Sequence, residues 1–341
     1  MDDLQLGIIG VGKHTRANIF PTLRLLGQPV ASVCSKHLDR AQAAAAEYQA
    51  GRAYADYAEM LATEKLDAVI VSTGVEHARI VADCLKAGLH VFVEKPLGLN
   101  PTEAQTVAAV AQAAGKIVMV GFMKRFAPAY AQLKKVIEEN EALGQVLSLQ
   151  GMFAIGPREH GDENYLKHTA IHYVDLARFL FGEVDQVFAL SNSLDTLVDQ
   201  AICLSFANGR IGSLFFGGLP AWQRHYEEIT VTGVKGFARV ENIERMVLHI
   251  SSNIPSGAPQ WQKVSEEDRV FTPTHTSSSG GWQDLYLGGY VAEIASFFEC
   301  IRTNTQPGCN AADNVNTMKL CQAIVDRLAR VDPEAGKKSA L

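Results

Sequence analysis

Short apolar runs alternating with amphipathic stretches fill the first third of the chain. Residues 4–9, 29–34, 68–72, 89–93 and 116–121 read as buried strands, because strands covered on both faces lose the in-out alternation of half-exposed ones. Helices are predicted between them: one starting near His14 and carrying Ile19, Leu23 and Leu26, then 40–48, 77–87 and 102–114. Such β-α alternation specifies a doubly wound parallel sheet. After Gly121 the pattern changes. A helix over 128–138 precedes strands at 146–154, 184–194, 198–206, 210–217, 226–233 and 236–250, the last one broken. Asn208-Gly209, and Val234-Lys235 between Gly233 and Gly236, are hairpin turn signals. They predict a large, open, mostly antiparallel sheet with one face left for solvent or a partner. Residues 251–285, rich in Ser, Pro, Gly and Thr, read as a long loop. Helices at about 287–303 and 311–330 close the chain, packing back across the domain junction. The expectation is an α/β protein of two domains, 1–121 and 122–341.

Two features of the first domain carry chemistry. Gly10-Val11-Gly12, followed by Lys13 and His14, joins the first strand to the first helix. Strand, glycine turn and helix in this order make a dinucleotide-binding arrangement, with a pyrophosphate held at the helix N-terminus. Thr15 stands where a third glycine or alanine usually lets helix pack on strand. The second feature is Glu94-Lys95-Pro96, just past the fifth run. A lysine and a glutamate there lie at the carboxyl edge of the sheet, where open α/β folds bind ligands.

The end of the second strand bears on the cofactor. Sites for NAD place a carboxylate there to bind the adenosine ribose. Here Ser35, Lys36 and His37 follow Cys34, Arg40 comes one turn later, and Asp39 is the first carboxylate. A hydroxyl with basic groups suits a 2′-phosphate, so NADP(H) is favoured and NAD(H) is the alternative; otherwise Lys36 and Arg40 are solvated helix-start charges. Thr73 and Gly74 close another strand, and His77 begins a helix, either near the nicotinamide or as a polar N-terminal residue.

Composition narrows the class. At 341 residues, 47% hydrophobic, 20% charged and net charge −6, the chain offers no basis for nucleic acid or an anionic membrane as partner. The first strand starts close to Met1, leaving no room for a leader, and no apolar stretch approaches the roughly 20 residues that span a bilayer. Six scattered cysteines without Cys-x-x-Cys spacing read as reduced thiols. A cytoplasmic location is expected.

In the second domain a helix over 169–181 aligns His168, His172 and Asp175 at i, i+4 and i+7. Three readings stand: a satisfied polar stripe, a metal site without the usual glutamate after the first histidine (Thr169 is there), or a proton-transfer pair facing the cofactor. No metal is expected.

Together these residues resemble the Gfo/Idh/MocA family, named for glucose–fructose oxidoreductase and inositol dehydrogenase. The resemblance runs from the glycine turn through Glu94-Lys95-Pro96 and the segment Gly121-Phe122-Met123-Lys124-Arg125-Phe126 to the C-terminal helices. It implies a Rossmann domain joined to an open-sheet α/β domain, and hydride transfer between NAD(P) and a hydroxyl or carbonyl carbon of a sugar, cyclitol or sugar derivative. It further implies that Lys95 contacts the reacting oxygen as acid/base, that Glu94 borders the nicotinamide, that Pro96 follows a cis peptide, and that Arg125 lies near substrate and cofactor. His172 and Asp175 match the family's helix, whereas His168 replaces its usual first Asp and Ala170 a common Gly. A histidine there, through like-charge repulsion with the lysine, suits ketone reduction at least as well as alcohol oxidation. Catalysis is assigned to Lys95, His172 and His168. Substrate contacts are assigned to Lys95, Arg125, His168, His172 and Tyr165, with Arg158, Arg224, Tyr226 and Trp282 as places for specificity. A homodimer or homotetramer through the C-terminal sheet is expected. The rival functions are a cofactor-binding sensor without turnover, and a lyase or glycosidase that oxidises transiently with retained cofactor.

Overall fold

The computed structural model describes residues 4–74, 76–157, 161–194, 196–251, 266–273 and 283–330; Arg158, Trp282 and most of the 251–285 stretch lie outside them. The N-terminal elements are β1 (Leu6–Ile9), α1 (Phe20–Leu25), β2 (Ser32–Cys34), α2 (Leu38–Tyr48), β3 (Arg52–Tyr54), α3 (Tyr57–Thr63), β4 (Ala68–Val71), α4 (His77–Lys86), β5 (His90–Glu94), α5 (Pro101–Ala114) and β6 (Val118–Gly121). They build a six-stranded sheet in the order β3-β2-β1-β4-β5-β6, parallel throughout. The chain order reverses between β1 and β4, which places a ligand crevice at the carboxyl ends of these strands. Leu6, Ile8, Val69, Ile70, Val91 and Val93 are wholly buried, as the continuous apolar runs require. The β3–α3 pair was not anticipated, because a three-residue edge strand and a seven-residue helix are too short to show a period. Asp56 starts α3 by accepting a hydrogen bond from the Ala58 amide at 2.8 Å.

The remaining elements are α6 (Pro128–Glu139), β7 (Val146–Ala154), α7 (Asp162–Tyr165), α8 (Ile171–Phe181), β8 (Val184–Ser191), β9 (Val198–Phe206), β10 (Ile211–Gly218), β11 (Tyr226–Gly233), β12 (Gly236–Glu241), β13 (Arg245–Ser251), β14 (Glu266–Phe271), α9 (Gln283–Leu287), α10 (Tyr290–Thr303), α11 (Ala311–Arg327) and β15 (Leu328–Arg330). Nine strands form a second sheet, ordered β14-β13-β12-β11-β7-β10-β9-β8-β15. It is antiparallel except where β7 meets β10 and β8 meets β15. Both anticipated hairpins form: Gly233 pairs Gly236 across Val234-Lys235, and the Phe206 amide bonds the Arg210 carbonyl across Asn208-Gly209. The predicted 236–250 strand is two, β12 and β13. β14 lies within the stretch read as loop; four successive charges, Glu266 to Arg269, hide its alternation and suit an edge strand.

The chain divides into two compact units: described residues up to Phe126 with 283–319, and described residues from Ala127 to 273 with 320–330. In the first unit, α10 packs on the parallel sheet, with the Phe297 ring 5.9 Å from that of Phe92. In the second, Leu149, Phe153, Leu214, Phe216, Ile229 and Val231 form a buried sheet face with Tyr130 and Tyr173. Among the described residues, no helix is long and apolar enough to cross a membrane.

Candidate active site

The glycine turn is tightly specified at its first residue. Gly10 has φ +100°, its amide donates to the Cys34 carbonyl at 2.9 Å, and a Cβ there would meet the Ser72 carbonyl oxygen at 2.2 Å. Thr15, in place of a third small residue, is buried; its hydroxyl donates to the Gly10 carbonyl at 2.9 Å and lies in hydrogen-bond contact with the Ser72 hydroxyl at 3.0 Å. The side chain therefore tethers the turn, and the helix opens into a wider π-turn over Thr15–Ile19 before α1 begins. A Cβ on Gly12 would face open space, with nothing within 4 Å. Lys13 beside it is exposed.

The turn opens onto a cavity of about 730 Å³ lined by Gly10, Gly12, Ser35, Lys36, His37, Arg40, Thr73 and Gly74. All of these but His37 are among the residues the sequence assigns to the cofactor, and the structure brings them to one crevice; Lys13, His14, His77, Glu94, Lys95 and Arg125, assigned with them, are not part of this lining. It adds residues that no spacing indicated: Asp56, Tyr57, Glu76 and Arg79. Glu76, at φ +63°, receives Lys36 Nζ at 3.0 Å and Arg79 at 3.1 Å. Lys36 holds the Glu76 carboxylate below its usual range, with Arg79 assisting. Asp39 lies in the first turn of α2. An adenosine phosphate fits this lining: an open approach at Gly12, room for the nucleoside, and cations at the end of β2.

The end of β5 is different in kind. Glu94 is 8% exposed, and Gly121 on β6 leaves room for it; a Cβ there would sit 3.1 Å from its carboxylate. His14 Nε2 lies 3.0 Å from Glu94 Oε1, while Asn18 Nδ2 lies 3.0 Å from the other ring nitrogen. Burial disfavours the His14 cation, but the Glu94 carboxylate outweighs it and raises the imidazole above its ordinary value. Burial alone would raise Glu94; the His14 hydrogen bond and the charges of His14 and Lys95 reverse this and hold it below the carboxylate range. The Tyr290 ring of α10 stands 5.8 Å from His14, its phenol raised by burial and by Glu94. Lys95 is half-buried, and the Lys95–Pro96 bond is cis, as the resemblance implied. His77, buried at the start of α4, directs Nδ1 at the Pro96 carbonyl, 2.8 Å away, and Nε2 at that of Thr73. Arg125 is buried in a tie to Asp313 at 2.6 Å and the Gly308 carbonyl at 3.2 Å.

In the second unit, His168 lies in a π-turn, Leu166–Ala170, and His172 in the first turn of α8. Both are half-buried, whereas Asp175 is fully covered, so the three are not one uniform stripe. Asp162 anchors the segment by accepting hydrogen bonds from Ser191, Ser193 and Gln200. Tyr165 is a core residue whose hydroxyl donates to the Gly217 carbonyl at 2.7 Å. Arg224 is exposed, and the Tyr226 hydroxyl donates to Glu228 at 3.2 Å.

Comparison with known proteins agrees with this architecture. Residues 4–122 match the family model described as the oxidoreductase family, NAD-binding Rossmann fold, and residues 156–329 match its C-terminal alpha/beta domain. Inositol 2-dehydrogenase of Salmonella typhimurium is 26% identical over 318 residues, covering 89% of this chain and 88% of its own. An oxidoreductase of Bacillus subtilis, YrbE, is 24% identical over 95% of this chain and 94% of its own. Levoglucosan dehydrogenase, solved in complex with NADH, superposes with a TM-score of 0.82 at 20% identity, covering 96% of this chain and 97% of that one. The chain belongs to the Gfo/Idh/MocA oxidoreductase family, with its nucleotide-binding Rossmann domain and C-terminal α/β domain.

Proposed function

We propose that this oxidoreductase transfers hydride between NAD(P)(H), with NADP(H) favoured over NAD(H), and a hydroxyl or carbonyl carbon of a sugar, cyclitol or sugar derivative, with Lys95 as the acid/base. The observation that carries the reading is the pairing, within one unit, of a nucleotide-sized cavity with the Glu94-Lys95 corner at the carboxyl edge of the same sheet. The substrate class is supported by relatives named for inositol and D-apiose.

Gly10 and Gly12 would admit the pyrophosphate, with Lys13 and His14 at the helix start; Thr73 and Gly74 would border the dinucleotide. Ser35, Lys36 and Arg40 would hold the 2′-phosphate. The bound nicotinamide supplies or accepts the hydride. In the oxidising direction Lys95 Nζ takes the hydroxyl proton; in the reducing direction it returns one to the carbonyl oxygen. His172, which matches the family's helix, would share that proton with Lys95, and His168, which departs from the family's pattern, would tune or relay it. Tyr165, buried and bonded to the Gly217 carbonyl, would act through packing. Arg125, tied to Asp313, fixes the turn after β6.

The proposal includes assembly as a homodimer or homotetramer through the nine-stranded sheet, in a cytoplasmic setting. One face of that sheet exposes Phe188 (70%) and Leu190, with Cys203, Ala201 and Phe215 in register beside them. An apolar patch of this kind marks an association surface. Light scattering is expected to give an oligomer, and Phe188→Glu to shift it towards monomer.

Incubation with NADPH and a panel of keto-sugars tests the activity, read at the reduced-nicotinamide absorbance band. Consumption supports the proposal. Binding without consumption points to a sensor, and tightly retained cofactor without net redox change points to a lyase or glycosidase. Ligand at 100 times Kd stabilises a protein by about 2.7 kcal/mol, so melting reports the cofactor. A shift with NADH and none with NADPH overturns the 2′-phosphate assignment.

A further inference from the structure

We infer that His77 is a positioning residue for Lys95, buckling the end of β4 to the Pro96 carbonyl just past the lysine; this rests on the acid/base role proposed above. The β4–β5 ladder ends at the pair Val71 and Val93. Thr73 and Pro96 lie beyond it, where the two chains leave the sheet. The His77 ring spans this gap, with Nδ1 2.8 Å from the Pro96 carbonyl and Nε2 against that of Thr73. Imidazole suits the task because its rigid ring carries a nitrogen on each side.

The ring is 8% exposed. A polar ring so buried is stabilising only when it finds hydrogen-bond partners; both nitrogens face backbone carbonyls here, and the neutral ring donates its one N–H to one of the two. Both nitrogens are directed at backbone carbonyls, so the contribution of His77 runs through the backbone it holds. Lys95 is thereby framed on both sides. Before it, the Glu94 side chain is held by His14 at 3.0 Å; after it, the Pro96 carbonyl is held by His77. A lysine has four rotatable bonds and a flexible stem. Holding the Glu94 side chain on one side and the Pro96 carbonyl on the other narrows where Nζ reaches, and displacement of a reacting group by about 1 Å costs about 10²-fold in rate.

The test compares wild type, His77→Ala, His77→Gln and Lys95→Ala, using NADPH and the keto-sugar identified by the panel. His77→Ala is expected to lower kcat by about 10²-fold, leaving the KM for NADPH and the NADPH-induced melting shift close to wild type. His77→Gln, whose amide can donate to one of the two carbonyls, is expected to recover part of kcat. A rise in the KM for NADPH with kcat intact would make His77 a cofactor ligand and overturn the inference. So would full turnover in His77→Ala while Lys95→Ala is impaired. Full turnover in Lys95→Ala overturns the acid/base reading instead. Should His77→Ala fail to fold, reductive ¹³C-methylation of wild type and His77→Gln gives a second readout. The Lys95 resonance is expected to stand apart in wild type and to move into the envelope of solvent-exposed lysines in the variant; an unmoved line overturns the inference.

Discussion

The two functional ends of the parallel sheet are built on opposite principles. At the end of β5, Glu94 and His77 are each 8% exposed, and their partners are a histidine and two backbone carbonyls. At the end of β2, the Lys36 side chain is 79% exposed, and its partner Glu76 is an ion pair in solvent. Groups at the first end keep their geometry because breaking any contact leaves a buried polar atom unsatisfied. Groups at the second exchange partners at little cost, since exposed ion pairs contribute about 0–1 kcal/mol. The lesson is that the proposed acid/base corner is preorganised, while the proposed nucleotide-reading end is adjustable, with Glu76 holding the Lys36 cation in an exposed ion pair.

The contrast can be broken at its rigid end first. Lys95→Ala is expected to lower kcat by about 10² or more with cofactor binding retained; steady-state kinetics and the melting shift check both. At the adjustable end, Lys36→Ala is expected to weaken NADPH by about tenfold, the worth of one hydrogen bond to a charged group, and to leave NADH nearly unchanged, read by titration. Thr15→Val, between the two ends, removes the hydroxyl joining Gly10 to Ser72 and should cost about 1–2 kcal/mol in urea unfolding.

The smallest effect concerns pH. Glu94 has a lowered folded value, so its contribution is present above its unfolded value and lost as pH falls through the folded one. His14 has a raised folded value, so its contribution is present below its unfolded value and lost as pH rises through the folded one. The pair therefore stabilises the fold between Glu94's lowered and His14's raised values. Glu94→Gln should flatten the stability profile across that window, measured by melting from acid to alkaline pH.

Much of this was legible in the residues. The parallel strands announced themselves because burial on both faces demands unbroken apolar runs, and the glycine turn, Ser35-Lys36 and Glu94-Lys95-Pro96 fell where such strands end. The edges were not legible. β3 is too short to show a period, β14 carries four charges in a row, and β15 follows α11 without a turn signal. Thr15 looked like a defect in the turn until its two hydrogen bonds showed it to be a tether. Glu76 and Arg79 joined the nucleotide crevice from another loop, and no spacing rule links them to Lys36.

The sequence by itself determined the type of most elements, the two hairpins and the family, and it offered the candidate site residues, because these depend on local period, turn stereochemistry and short motifs. Only the tertiary structure decided what each polar group touches: Lys36 on Glu76, Arg125 on Asp313, Tyr165 on Gly217, and His77 between two strand ends. Those pairings join residues from 4 to 188 positions apart. A hydrogen bond is a matter of ångströms and angles in space, and a chain fixes those only once its strands are in order.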